Sequence, residues 1–490
     1  MISDLKRLTK NSGIYAAGQI LGKAVGFFML PVYTRYLNPR DYGVLSLLDT
    51  VMFFATIFAG MGVQTALMRF YALYEPEHDK KEVVGTAILF FSLTSAAMGA
   101  VLSLTAPWIA QSVLGDRTMA PLVRIVSLTF IFGNLCEVPM TYWRVRERAA
   151  WYVGINLAKT VVGMLSLIVS LAVLRQGLVG ALYANLFTSF LFAGVLLAFA
   201  FREVPACLVV SKLKPMIRFG APLIITGLGS FVLVFSDRFF LRYYAGLEEV
   251  GVYALGYKLA SIVVLLVTLP FSMGWQWQQF DLAKRGNAAE LYAKIQTYLW
   301  FVSVFCALGV SVLARDVLPF LAPPAYAQAA SVVPLIALSY VLVNARTVIQ
   351  SELYVKGATQ RAALVAVIVT AANLTLNYLL IPRYLVMGAA MATVASYGLS
   401  LVLTSVVAHK LNPVPYEYGR NGLALAAAGV AYFLAQAHHL PLPVSVAANV
   451  GLVGLFGVIM LRLLDQEERQ MFWKLGLSLA ETLRRTALRQ

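Results

Sequence analysis

Charge is scarce in these 490 residues: Asp, Glu, Lys and Arg together make up 13%, where soluble domains carry about 25%. A soluble globular protein is excluded. Histidine and cysteine are scarcer still, with four and three copies. Cys136, Cys207 and Cys306 stand far apart without a CxxC spacing, and His438 and His439 are adjacent, where side chains diverge on a helix. No zinc site is built from such a set, and the cysteines read as buried apolar side chains. P-loop, G-x-S-x-G and H-E-x-x-H motifs are all missing, so the sequence offers none of the nucleotide, serine-hydrolase or zinc-protease chemistry that those motifs carry. Acids are the scarcer sign, 23 against 39 bases, leaving a net charge of +16. In a soluble chain that balance would suggest nucleic acid; here the positions of the bases decide its meaning.

What fills the space is apolar: 60% of residues are hydrophobic, with a mean hydropathy of +0.76. A membrane-crossing helix needs roughly 20 mostly apolar residues. Fourteen runs fit, at 12–37, 42–65, 84–106, 121–143, 151–174, 178–201, 217–243, 250–274, 291–314, 330–352, 361–381, 385–408, 420–437 and 442–464. The fold class expected is an all-α polytopic membrane protein of fourteen helices. The basic start with Lys6, Arg7 and Lys10 looks like a signal-peptide n-region, but the run passes residue 30 without an A-x-A site, so the first span is read as retained. The sequon Asn373-Leu374-Thr375 falls inside an apolar run and is discounted as a glycosylation site.

An even number of spans puts both termini on one side. The terminal segments and the loops on their side hold 26 Lys and Arg; the opposite loops hold 6. By the positive-inside rule both termini are cytoplasmic, in a cytoplasmic (inner) membrane. After the last span, Phe472, Leu475, Leu479 and Leu483 recur at helical spacing, so 465–490 reads as an amphipathic tail on the inner surface.

Sliding the chain on itself by 207 to 212 residues aligns Arg35-Tyr36 with Arg242-Tyr243, Gly43-Val44 with Gly251-Val252, Met61-Gly62 with Met273-Gly274, and Gly180-Ala181 with Gly388-Ala389. Their order implies two six-helix halves of the same topology, 1–210 and 211–412, followed by helices 13 and 14 at 413–464. Two parallel bundles about a central cleft suit alternating access, in which one half rocks against the other.

Seven bases remain at membrane depth or near its edge: Lys23, Arg35, Arg124, Lys159, Arg238, Lys258 and Arg346. Three acids accompany them, Asp49, Glu137 and Asp237. A charge at a helix centre facing lipid costs about 2.5 to 3.5 kcal/mol, so these side chains are expected to face a wet interior or to pair. Arg35, Arg124 and Arg346 lie close enough to an interface to snorkel, and Asp237 and Arg238 sit side by side. Lys23 continues a stripe of Asn11, Tyr15 and Gln19 at four-residue spacing, one polar face of helix 1. Helix 1 also carries Gly18, Gly22, Gly26 and Pro31, which read either as a close-packing face with a kink or as a bendable gate. Seven bases against three acids make a cationic interior, suited to an anionic ligand such as a diphosphate.

The segment from Leu5 to Leu48, with a basic amphipathic start, a glycine-rich first helix, Pro31, Arg35-Tyr36-Leu37 and Asp41-Tyr42-Gly43, resembles the bacterial polysaccharide repeat-unit flippases (Wzx-type, exporters of O-antigen and exopolysaccharide) of the multidrug/oligosaccharidyl-lipid/polysaccharide superfamily. The resemblance implies a non-enzymatic flippase that moves an undecaprenyl-diphosphate-linked oligosaccharide from the inner to the outer leaflet. By position it makes Lys23, Lys159, Arg238 and Lys258 the cavity cations and helices 13 and 14 a groove for the lipid tail. Gln19, Asp49, Glu137 and Asp237 become polar or coupling positions, and Gly22, Gly26 and Pro31 gating positions. No cofactor is implied, and the coupling ion, sodium or proton, stays open. Partners are the lipid-linked oligosaccharide and the bilayer, with a polysaccharide polymerase as a further candidate and no nucleic acid. A lipid II flippase, a cation-coupled drug antiporter of the same superfamily, and a polymerase or ligase acting on the same lipids remain alternatives.

Overall fold

The computed structural model describes residues 18, 21, 22, 24–285, 287–437 and 440–470, with Trp277 described by its backbone alone. Among these residues there is no strand, and eleven helices are long and apolar enough to cross a membrane. Helix 1 is described from residue 24, apart from Gly18, Leu21 and Gly22; Lys23, Gln19 and most of the amphipathic tail lie outside the described residues.

Proline and glycine place the breaks. Helix 1 turns at Met29 and resumes as α1 (Leu30–Tyr36) with Pro31 in its first turn, because proline lacks the N–H and crowds the carbonyl four residues earlier. Asn38 then caps α2 (Pro39–Gly60), accepting from the Asp41 N–H at 2.8 Å, with Pro39 in the first turn and Asp41 near the positive end of the helix. The expected single run over 42–65 is instead broken at Met61 and Gly62, both left-handed (φ 40° and 67°), before α3 (Val63–Leu73). Glycine meets that conformation without strain, and it also lets the bend touch the backbone of Gly220.

The chain continues through α4 (Glu77–Leu104), α5 (Ala120–Leu135), α6 (Glu137–Val145), α7 (Ala149–Ile168) and α8 (Gly177–Glu203). The amphipathic α9 (Val210–Gly220) precedes α10 (Leu223–Tyr244), and Pro222 separates the two where a single span over 217–243 was expected. Then come α11 (Leu247–Ala260), a π-turn at Val264–Thr268, α12 (Leu269–Leu282), α13 (Ala288–Leu321) and α14 (Ala329–Val355). Thr359–Leu411 (α15) is helical by hydrogen bonding over 53 residues but reverses at Leu385, whose φ is 49° and ψ −123°. Asn373 donates to Ser396 at 3.0 Å across 23 residues, a separation of about 35 Å along a straight helix, so α15 is an antiparallel hairpin matching the expected runs 361–381 and 385–408. Finally α16 (Tyr418–Ala437) and α17 (Leu442–Leu463) pack on α13.

At one end of the bundle, where α2 and α11 begin, the backbones of these two helices touch. A Cβ on Gly43 would overlap the Leu247 carbonyl, and one on Gly251 would overlap the Pro39 carbonyl. The same end is tied by Arg242, whose guanidinium donates to the Leu114 carbonyl at 2.7 and 2.9 Å, and by the Tyr326 hydroxyl, which donates to the Leu37 carbonyl at 3.0 Å.

At the opposite end, the first turn of the tail docks on the bundle. Glu468, nearly buried, accepts from Arg420 at 2.7 Å and from Tyr298 at 3.0 Å. Burial pushes its carboxyl up, but the hydrogen bonds of Arg420, the Asp465 N–H and Tyr298 outweigh that, and its pKa lies below the ordinary glutamate value. The contact is therefore at full strength above the unfolded pKa near 4.3 and is lost as pH falls through the depressed value. Protection of 465–470 from hydrogen exchange, corrected for the intrinsic rate at each pH, is expected to be lost in acid as Glu468 protonates. E468Q is expected to expose this segment already at neutral pH, forfeiting about 1.5–3 kcal/mol of a charge-assisted hydrogen bond; unchanged exchange in E468Q would refute the role given to the pair.

Candidate functional site

The interior polar group is assembled from α2, α10 and α11. Asp237 on α10 is buried: one carboxylate oxygen accepts from the Tyr253 hydroxyl at 2.5 Å and the other from the Arg238 N–H at 2.8 Å. Arg238 is likewise buried, donating to Ser46 at 3.2 Å and the Val234 carbonyl at 2.8 Å. Its guanidinium lies 4.9 Å from the Phe235 ring centre and 5.1 Å from that of Tyr257, and 3.7 Å from Asp237. A buried charge has to recover its lost hydration from such partners. Asp237 and Arg238 therefore form a satisfied pair bridging α2, α10 and α11.

Asp49 and Lys258 behave differently. Both are exposed although they sit in the middle of apolar helices, and they attract each other across the interior, with Arg238 a second influence on Asp49. Lys258 stands one turn before the interruption at Ser261, whose hydroxyl donates to the Lys258 carbonyl at 2.6 Å, and the π-turn follows directly. Such interruptions let a helix re-aim side chains. Lys258 lines a cavity of about 320 Å³ together with Gly22, Gly26, Phe27 and Ser261. The glycines explain the space. Gly18 packs against Val153, but a Cβ on Gly22 or Gly26 would meet nothing within 4 Å, so these two open the cavity rather than seat a neighbouring helix.

Lys159 and Glu137 form a separate group. Lys159, half-buried on α7, stands near Cys136, and the exposed Glu137 on α6 accepts from Gln64 of α3 at 3.2 Å. No described contact joins them to the Asp49–Lys258 group. Arg346 is held away from both, donating to Ser400 at 2.9 Å.

The sequence missed two parts of this interior. One is a buried amide and hydroxyl network of Ser236, Asn373, Asn377 and Ser396, linked at 3.0 to 3.2 Å beside Asp237. Asn373 and Asn377 at four-residue spacing on an apolar run were its signal. The other is the tyrosine group Tyr253, Tyr257 and Tyr340, with ring centres 5.8 and 6.0 Å apart, whose members look like ordinary span residues in sequence.

Two apolar cavities flank α13. One, of about 300 Å³, lies between Phe27, Leu259 and Ile262 on one side and Phe305, Val310 and Val317 on the other. The second, about 420 Å³, is lined by Tyr298, Phe301 and Phe305 of α13 and by Gly457, Val458 and Leu461 of α17. Helix α16 lines neither.

An all-helical polytopic membrane protein with a charged interior and apolar side grooves is the class these features define. The chain belongs to the polysaccharide biosynthesis protein family, whose model matches residues 8–275. It is 26% identical over 370 residues to the succinoglycan biosynthesis transport protein ExoT of Rhizobium meliloti, covering 73% of this chain and 71% of that protein. Lsg locus putative protein 1 of Haemophilus influenzae is 25% identical over 267 residues, covering 53% of this chain and 63% of the relative, so less than two thirds of that protein's length is matched. Among solved structures, the lipid II flippase MurJ in an inward closed conformation superposes with a TM-score of 0.76 at 12% identity, covering 91% of this chain and 98% of that one. An inward-facing multidrug resistance MATE family transporter of the MOP superfamily gives 0.64 at 14% identity, covering 80% and 96%. At such identities the likeness is one of fold.

Proposed function

We propose that this protein is a flippase that carries an undecaprenyl-diphosphate-linked oligosaccharide from the cytoplasmic to the outer leaflet of the inner membrane. The observation that carries the reading is the exposed Lys258 in a cavity that shares Phe27 and Ile262 with an apolar groove. A cation beside an apolar groove suits a lipid with a phosphorylated head. Membership of the polysaccharide biosynthesis family and the similarity to a succinoglycan transport protein support a sugar-bearing cargo.

The movement proposed is alternating access between the halves 1–210 and 211–412. The reciprocal contact of Gly43 with the Leu247 carbonyl and of Gly251 with the Pro39 carbonyl supports it, since each member of one pair is 208 residues from its counterpart in the other. The distribution of bases supports an orientation with that end outside and both termini inside. Asp49, Glu137 and Asp237 are the candidate groups for coupling to sodium or a proton, and Lys23, Lys159 and Lys258 the cations for the diphosphate. For the tail, the grooves beside α13 are the candidates, one of them lined also by α17, the second of the two helices to which the resemblance assigned a tail groove.

Deleting the gene in its native host is expected to leave lipid-linked repeat units on the inner leaflet. K23A and K258A are each expected to lower surface polysaccharide about tenfold or more, as befits a lost charge-assisted phosphate contact, with expression and membrane insertion unchanged. Wild-type polysaccharide from both variants would refute the cation assignment. Ethidium efflux that depends on the protein, with no lipid-linked intermediate accumulating on deletion, would favour a drug antiporter.

A further inference from the structure

A second cation-lined cavity lies at the end of the bundle where α13 finishes. It measures about 960 Å³ and is lined by Arg35, Arg315, Ser331, Tyr432 and Gln436 over an apolar floor that includes Leu318. The cavity is held in shape by its walls. The Thr34 hydroxyl donates to the Leu321 carbonyl, which sets Arg35 beside the last turn of α13, and Arg315 donates to Gln436 of α16 at 2.6 Å. Both guanidinium groups belong to exposed residues, and among the described residues neither has a carboxylate within ion-pair distance. Asp316, next to Arg315 in sequence, is buried and engaged elsewhere, accepting from Ser445 at 2.9 Å and Asn449 at 2.7 Å. Arg35 therefore does more than snorkel to an interface. It faces a second arginine across a space without an acid.

The cavity and the apolar groove beside α13 lie on opposite faces of that helix. The groove is lined by Phe305, Val310 and Val317 and the cavity by Arg315 and Leu318, and the two share no lining residue. From Phe305 to Val317 the helix rises about 18 Å, a stretch of apolar wall suited to several isoprene units. The groove shares Phe27 and Ile262 with the Lys258 cavity. The groove thus adjoins the Lys258 cavity directly, whereas the Arg35–Arg315 cavity stands apart from both.

We propose that the Arg35–Arg315 cavity is a second phosphate site, separate from the one at Lys258, which receives the diphosphate of a polyprenyl lipid. This rests on the flippase reading above. Arginine suits the site because its planar fork pairs with phosphate oxygens in two-point fashion. The same phosphate chemistry is offered by an anionic phospholipid of the bilayer, so the test has to separate the two.

The full chain in phosphatidylcholine nanodiscs, in a K258Q background, is titrated with undecaprenyl diphosphate and, separately, with phosphatidylglycerol; native mass spectrometry counts the bound lipid. R35Q/R315Q is expected to weaken polyprenyl diphosphate binding about tenfold or more, R35Q and R315Q singly about threefold each, and R35K/R315K least. Undiminished binding in both single variants and the double variant would overturn the site. Equal affinity for phosphatidylglycerol, lost through the same substitutions, would overturn its assignment to the cargo and make it a bilayer-lipid site. If the otherwise wild-type chain binds polyprenyl diphosphate and only K258Q reduces that binding, the proposed function stands and this proposal falls. If the wild-type chain binds none, the flippase reading itself fails.

Discussion

A valine in place of Gly251 is expected to cut export about tenfold or more while leaving the protein inserted in the membrane. The cause is local: a Cβ at this position would overlap the Pro39 carbonyl, and Gly43 stands in the same relation to the Leu247 carbonyl. Neither obstacle is a side-chain tip that can rotate away. Overpacking of this kind costs about 1–3 kcal/mol, which is roughly a 5- to 150-fold change in the balance between two states. Because α2 and α11 close one end of the bundle here, the strain falls on the closed form alone. G251V is thus expected to populate a form open at that end. A cysteine introduced at Val44, 1% exposed in this structure, then reacts faster with a membrane-impermeant maleimide added from outside. G43V is expected to act the same way. Normal export by G251V, or export lost without any gain in labelling at position 44, would show that this crossing is not a gate.

How much of this was legible beforehand depended on whether a feature had a local chemical signature. Spans announce themselves by length and apolarity, because a run of about 20 apolar residues can satisfy its own backbone in lipid as a helix, and the hairpin at 361–381 and 385–408 was readable from Pro382 and Arg383 between two apolar runs. The alignment of Gly43 with Gly251 was readable as a repeat, but only the structure brings the two into one contact. The repeat also overreached. Met61-Gly62 breaks a helix, whereas its counterpart Met273-Gly274 lies within the continuous α12. The difference lies in the neighbours: Gly62 abuts the backbone of Gly220, while Gly274 has only the side chain of Gln278 near it. Sequence could not divide the lone charges in apolar runs into paired and free, since pairing depends on groups brought in from other helices. Arg238 finds Ser46 from 192 residues away, and Arg35 meets Arg315 across a cavity that no spacing foretells.

That division yields the second large effect. Arg238 and Lys258 were both expected to serve the cargo as cavity cations, but their surroundings assign them different costs. Arg238 is 7% exposed and its guanidinium has a hydroxyl, a carbonyl, two aromatic rings and the Asp237 carboxylate around it. Removing one member of a buried charge pair costs about 3–5 kcal/mol, because the other is left uncompensated. R238A is therefore expected to lower thermal stability and folded yield strongly, with Asp237 stranded beside Tyr253. R238K keeps the charge but loses the fork that reaches Ser46 and Val234 together, and is expected to recover only part of the loss. K258A removes a side chain that is exposed in its cavity, so its melting temperature is expected to stay within a degree or two of the parent, roughly what a substitution within 0.5 kcal/mol allows, while export collapses. Thermal unfolding in detergent read beside export in cells separates the two. An R238A protein as stable as the parent but poor at binding polyprenyl diphosphate would move Arg238 into the cargo site. A K258A protein that unfolds early would take Lys258 out of it.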